Sequence, residues 1–573
     1  MPTLEECSTV RRTSAIGSPR DMADRPQQRA VESALLATAA SLPFLPYILF
    51  LRAHPIPRFA TMGDYAGLEL ATRFVWAGKT LLGPYSRYQF NHPGPLWYFL
   101  VAPVYRAVGS TTTGVFAGAC FTNALSAAAI VLAVRLFTSR VRAIGVLMIL
   151  LGWLVAFGDT CVQPWNPLTV VLPLIAFLVF SAFLARGMTA AAVPGALFGA
   201  LACQTHLSVM PTVVLVVLAS SGALYLGARE RKLTRGERVA LASACFIGFV
   251  LFLPPLIEEF LPTGGNVSKL AHFFSSREEP MKSFSSALRN WALANSWLSD
   301  RIFSLTLLKE GQLPVPMSSV EVPSAASRYA IFAAVVTLAL VFVSTLLAWR
   351  RRDRTSLALL LTSIVASMVA IAALRGVIGT TYCYLLFWVT AGPTVGLMGV
   401  ASYVAGILET KIQWQRTGAT IAVVGVVAGA AVGASAVQQR WLDHNSDFIQ
   451  ARSSRLADVY DELRRHVAVT GSTPVVHVEA DWTTQLALLL ELDRDGVDVR
   501  VEPRDRWMLG RQFSTPTGVA RPIHVWSEAQ IGGQLSTSKC LEHMASSSRL
   551  ELWTAPNDVR ECSEKRSPAS SEP

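Results

Sequence analysis

Residues 63–95 read GDYAGLELATRFVWAGKTLLGPYSRYQFNHPGP, a polar, aromatic, glycine-dotted stretch set between long apolar runs. Working outward, the chain has 573 residues, of which 52% are hydrophobic and only 16% charged, with a mean hydropathy of +0.40. That is more apolar than a soluble globule usually is, and it predicts an α-helical polytopic membrane protein. The net charge of +11 comes largely from arginines in short loops between apolar runs. Orientation in a bilayer explains them, and no nucleic acid is implied as a partner. Of the eight cysteines, Cys120, Cys203 and Cys245 lie in apolar runs and no CxxC pair occurs, so the pattern supports neither a zinc site nor a redox motif. Cys540 and Cys562 are the pair suited to a bridge in an oxidising compartment, with two free thiols as the alternative.

A spanning helix needs about 20 apolar residues. Eleven runs approach this: 31–51, 113–137, 143–157, 168–185, 189–203, 207–227, 239–257, 329–348, 355–374, 383–405 and 418–437. Basic residues then alternate. Arg11, Arg12, Arg20, Arg25 and Arg29 precede the first run, and Arg140 and Arg142 follow the second. Arg186 follows the fourth, RERKLTRGER (229–238) the sixth, WRRRDR (349–354) the eighth, and Lys411 with Arg416 the tenth. Placing all of these on the cytoplasmic side makes the N-terminus cytoplasmic and the C-terminus extracytoplasmic in a multi-pass plasma-membrane protein. The organisation expected is a disordered tail over 1–30, a membrane domain over 31–437 with outer loops 52–112 and 258–328, and a small extracytoplasmic α/β domain over 438–573. In that last part, SSRLADVYDELRRHV and WTTQLALLLELDRDG have helical spacing, the second ending at Gly496. PVVHVEA, VDVRVEP and RPIHVW read as short parallel strands. No glycine-rich turn follows the first strand, so the dinucleotide and P-loop fingerprints are absent.

The outer side receives the opening stretch, GDTCVQPWNP (158–167), QTH (204–206), RGVIGTTYCY (375–384) and the tail. Leu68, Ala71, Val75 and Leu82 predict an amphipathic helix near 65–78 on the outer membrane surface, with Asp64 at its start. Asp64 is then either a helix N-cap or a carboxylate facing a cavity. Glu69 lies about 140° round the helix from Asp64, so the two acids do not share a face. Arg73 follows Glu69 at the spacing of a weak helical ion pair. Asp159, just past the third run, is a turn residue or a second outer acid. His206 either satisfies a local carbonyl or contacts a ligand, and Arg375 either snorkels to head groups or meets an anion. Trp76, Trp97, Tyr98 and Tyr105 suit an interfacial belt at least as well as a substrate cage.

A first helix, a large first outer loop with an acid near its start (Asp64) and an acid in the next outer loop (Asp159) resemble the GT-C superfamily of polyprenyl-phosphate-sugar-dependent glycosyltransferases. The likeness is greatest to bacterial family-39-like members, and GPYSRYQFNHPGPLWY and PPLIEEFLPTGGNVSKLAHFF (254–274) are similar to actinobacterial relatives of that group. The chain lacks the adjacent acidic pair of the mannosyltransferases and a DxD in the second outer loop, which leaves any metal cofactor unassigned. The resemblance implies transfer of a sugar from a polyprenyl-phosphate donor to a cell-envelope glycan, lipid or protein at the outer membrane face, with inversion. Asp64 is the implied base, with Asp159 and Glu69 as further catalytic candidates. Arg375, His206, His92, Arg73 and Asn91 are the implied substrate-binding residues, and Arg375 would meet the phosphate. The competing classes are a polytopic transporter or lipid flippase, which would place charges near the bilayer midplane, and a non-catalytic envelope scaffold.

Overall fold

The computed structural model describes residues 26–303, 321, 328–411, 417–450, 454–501, 513, 523–527, 542–547 and 550–554, apart from 87, 230–231, 262–264, 277–278, 472 and 477–481. All eleven apolar runs are helical. The first forms Pro26–Ser41 and Leu45–Ala53, joined through a short turn where Pro43 and Pro46 interrupt the hydrogen-bond ladder. The others are Thr112–Phe137, Arg140–Cys161, Val171–Ala185, Ala192–Thr205, Met210–Ala228, Arg235–Leu251, Arg328–Arg350, Arg354–Leu374, Ala391–Lys411 and Thr417–Gln450. Among the described residues eight helices are long and apolar enough to cross a membrane. Arg235–Leu251 with Leu253–Glu259, bent by 40°, makes a ninth. The bend falls at Pro254 and Pro255, which cannot donate to the ladder. Run 189–203 is shorter than a full span: its helix, Ala192–Thr205, has 14 residues.

Hydrogen bonds sort the connections into two ends. At one end Arg135 pairs with Glu32 at 2.7 Å, Arg142 with Asp353 at 2.8 Å, and Ser139 donates to Glu409 at 2.9 Å. These are the arginine-rich connections. At the other end Asn91 and Asn266 exchange hydrogen bonds of 2.8 and 2.9 Å, Asn166 donates to the Thr205 carbonyl, and Tyr88 donates to the Ile378 carbonyl at 2.9 Å. The segments grouped as outer by charge alternation therefore meet one another.

The C-terminal part is a mixed sheet, β1 (Pro474–Val476), β2 (Arg500–Val501), β3 (Ile523–Ser527), β4 (Glu542–Ser547) and β5 (Leu550–Thr554), in the order β2-β1-β3-β5-β4. The three expected strands are parallel, with Val475 opposite both Arg500 and His524. β4 and β5 form an antiparallel hairpin that the sequence pattern did not suggest. Helices Ser454–Thr470 and Trp482–Arg494 accompany the sheet, and Gly496 takes the left-handed conformation (φ 70°) that stops the second. Cys540 and Cys562 lie outside the described residues.

The helix expected to lie on the membrane surface, Asp64–Phe74, has protein on both sides. Ala66 and Leu70 join Leu456, Tyr460, Leu463, Leu486 and Leu490 in one core with the C-terminal part. Leu68 packs with Trp97, Tyr98, Val101 and Tyr105 of helix Leu96–Ala107 on the other side. Periodicity marked one apolar stripe, whereas the helix buries two. Of the aromatics assigned to a belt, Trp97, Tyr98 and Tyr105 are buried and Trp76 is exposed.

Candidate active site

Gly63 holds the N-cap position with φ 56°, a conformation that suits glycine, and makes no side-chain cap. Asp64 is the first helical residue, and its carboxylate is not spent on capping. Its Oδ2 accepts from Trp165 Nε1 at 2.8 Å, and the Tyr85 hydroxyl lies close enough to favour its charged form. Burial outweighs both and raises the Asp64 pKa above the ordinary carboxylate value. Burial, then the Asp64 charge, raises the Tyr85 and Tyr98 hydroxyls in turn. Asp64 nevertheless keeps part of its surface exposed, as do Trp165, Tyr85, Tyr382 and Tyr384. Trp165 meets Tyr384 at 4.8 Å between ring centroids, and Tyr384 stacks on Tyr382 at 5.9 Å.

Loop 375–384 thus reaches the surroundings of Asp64 through Tyr384 on Trp165, and it meets the first outer loop again where the Ile378 carbonyl accepts from Tyr88. Arg375 begins this loop at the end of helix Arg354–Leu374. Its Nε donates to the Lys282 carbonyl at 3.3 Å, and Lys282 N donates back to the Arg375 carbonyl at 3.0 Å, so two cations share one corner.

His92 and His206 come together as a stacked pair with centroids 4.9 Å apart. His92 Nδ1 accepts from Leu207 N at 3.0 Å, which puts the proton of the neutral ring on Nε2. Burial, then its neighbour, holds the His92 pKa well below the ordinary value, and burial takes His206 to about 4. The His206 Nδ1 is buried without a hydrogen-bond partner. Asn91 is buried, with its side-chain amide donating to the Gly83 carbonyl at 3.3 Å.

The other sequence-derived candidates fall elsewhere. Glu69 is 0% exposed and does not pair with Arg73. It takes hydrogen bonds from Arg494 at 2.5 Å, Tyr105 at 2.9 Å and Thr112 at 2.8 Å. Arg73 reaches Asp493 instead, at 2.6 Å. The helical spacing suggested a local pair, but both side chains point to partners far along the chain, where burial strengthens each contact. Asp159 is not past the third helix: the helix continues through Cys161, and the Asp159 side chain lies outside the described residues. Trp165, Tyr85 and Tyr384 were missed as site residues because an aromatic in a loop carries no charge signal, although all three stand in the outer segments singled out.

The chain as a whole is similar in fold to solved structures. The likeness is to the crystal structure of ArnT from Cupriavidus metallidurans in the apo state, with a TM-score of 0.50 and 12% identity over 91% of this chain and 97% of that one. ArnT bound to undecaprenyl phosphate aligns with a TM-score of 0.49 and 13% identity over 93% and 97% of the two chains. The archaeal oligosaccharyltransferase AglB from Archaeoglobus fulgidus, in complex with an inhibitory peptide and a dolichol-phosphate, gives 0.41 and 12% over 91% and 74%. No protein-family model matches the chain, and no curated protein does.

Proposed function

We propose that this protein is a membrane glycosyltransferase that moves a sugar from a polyprenyl-phosphate donor to a cell-envelope acceptor, with Asp64 as general base. The observation that carries the proposal is a carboxylate free of capping duty, on a part-exposed residue where three outer segments converge. The acceptor hydroxyl attacks the anomeric carbon and gives its proton to Asp64 as the new C–O bond forms. The old C1–O bond breaks with its electron pair leaving on the polyprenyl phosphate, and a single displacement inverts the anomeric centre. No strong acid is needed, because phosphate is already a good leaving group; a nearby cation stabilises its growing charge. Arg375, with Lys282 beside it, supplies that cation.

Trp165 and Tyr384 offer ring faces beside the acid for the sugar. The neutral His92–His206 pair offers ring nitrogens to hydroxyls, and Asp159 is a second outer acid. The basic end faces the cytoplasm and the Asp64 end faces outside, in accord with the arginine distribution. Nucleotide sugars are cytoplasmic, so a lipid-linked donor suits the opposite face. The test compares lipid-linked sugars and envelope glycans in a deletion strain with those in strains restored with the intact gene or with Asp64→Asn. A lipid-linked sugar should accumulate in the deletion and Asp64→Asn strains and clear with the intact gene. Unchanged lipid and glycan profiles in the deletion strain would overturn the proposal.

A further inference from the structure

The segment ELDRD (491–495) has four charged side chains, and each is paired with the first outer loop or the helix after it. Glu491 meets Arg58 Nε at 2.6 Å and the Phe59 backbone N–H at 3.2 Å. Asp493 meets Arg73 at 2.6 Å, Asp495 meets Arg58 at 3.1 Å, and Arg494 reaches both Glu69 at 2.5 Å and Thr112 at 2.6 Å. About three turns back, at the start of the same helix, the Thr483 carbonyl accepts from Gly63 N at 2.9 Å. The Trp482 ring lies so close over Gly63 that a Cβ there would be 2.9 Å from it. Tyr85, the neighbour of Asp64, meets the edge of Trp482 at 5.8 Å between centroids. Between these two grips, Leu486 and Leu490 share a core with Ala66 and Leu70.

Attachment alone does not call for this layout. A buried ion pair such as Glu69–Arg494 is often no more stabilising than apolar side chains of the same volume, and its best-attested use is to fix register. Here a fixed register delivers Trp482 and Thr483 to the residue directly before the acid. We propose that helix Trp482–Arg494 positions the Asp64 carboxylate: the charged ladder sets how far along its axis the helix sits, and Trp482 with Thr483 holds Gly63 and so the direction in which Asp64 leaves the backbone. This rests on the reading of Asp64 as the base. Trp482 and Arg494 are positioning residues, and the C-terminal unit is thereby a working part of the active site. Displacing a reacting group by about 1 Å costs roughly 10²-fold in rate.

The test uses the full-length protein in liposomes, with the lipid-linked sugar extracted from the deletion strain as donor and envelope extract as acceptor. Trp482→Leu, which keeps apolar bulk and touches none of the ion pairs, should lower kcat roughly ten- to hundred-fold with donor KM within about twofold and the melting midpoint little changed. Trp482→Phe, which keeps the ring, should recover most of that rate. Arg494→Lys keeps the charge but loses the fork, and should lower kcat in the same direction at constant donor KM. Trp482→Leu turning over at the parent rate, while Asp64→Asn is inactive, would overturn the positioning role and leave the base assignment standing. Asp64→Asn at the parent rate would remove the base assignment itself. If Arg494→Lys fails to fold, Trp482→Leu and Trp482→Phe still decide.

Discussion

Two acids on one helix have opposite surroundings. Glu69 has no exposed surface and takes hydrogen bonds from Arg494, Tyr105 and Thr112, so every part of its carboxylate is in use. Asp64, at the helix start, keeps open surface and accepts from Trp165, with Tyr85 alongside. The first arrangement commits the whole carboxylate to its neighbours; the second penalises the ion by burial and leaves it able to take a proton. The comparison separates an acid that holds two parts of the molecule together from an acid available for chemistry.

The strongest way to break this comparison is at Glu69. Replacing it with Ala removes a buried carboxylate that accepts from Arg494, Tyr105 and Thr112 and leaves Arg494 with Glu491 as its remaining anion, a loss of about 1.5–3 kcal/mol. Thermal denaturation of the purified protein should show it as a large fall in melting midpoint, together with faster proteolysis of the C-terminal unit. An unchanged midpoint would mean that Glu69 does not hold the two parts together.

Acid conditions give a second, smaller effect at the histidine pair. Folded His206 has a pKa near 4, below the ordinary value of 6.5, so the unfolded state binds more protons between those values. Stability from this site is therefore complete above about pH 6.5 and falls as the pH drops towards 4. His206 alone costs about 1 kcal/mol by about pH 5.5, and His92 shifts in the same direction. His206→Phe should flatten this part of the stability profile; an equally steep profile in the variant would place the loss elsewhere.

Asp64 sharpens the comparison from the other side. Because burial raises its pKa, the acid limb of kcat should lie above the pH at which a free aspartate titrates, about 3.9. Trp165→Phe removes a donor that favours the charged form, so the limb should move to still higher pH. A limb that stays in place would show that the titrating group is not next to Trp165. The smallest effect belongs to Arg58→Gln. Arg58 is 44% exposed where it meets Glu491, and exposed pairs contribute about 0–1 kcal/mol. Its melting midpoint should shift far less than that of Glu69→Ala.

The bundle was legible because spanning helices write themselves as long apolar runs, and the two ends were legible because arginine marks one of them. Asp64 stood out as an acid soon after the first helix. The three parallel strands also followed from short runs of β-branched residues. The β4–β5 hairpin did not, since EHMASS and LELWT have no turn signature between them. Local spacing misassigned Glu69 and Arg73, because their partners, Arg494 and Asp493, lie more than four hundred residues away in sequence. Periodicity counts neighbours along a helix and is blind to what the tail brings. The aromatic surroundings of Asp64 were hidden for the same reason: Trp165 and Tyr384 meet only once separate loops converge.

The most direct measurement is transfer by the reconstituted full-length protein carrying Asp64→Asn, beside the parent and with donor binding measured separately. Asn keeps the shape and a polar partner for Trp165 but cannot accept the acceptor's proton. The account predicts a fall in turnover of at least about 10²-fold with donor affinity and melting midpoint unchanged. Turnover close to the parent's would contradict it and pass the role of base to Asp159.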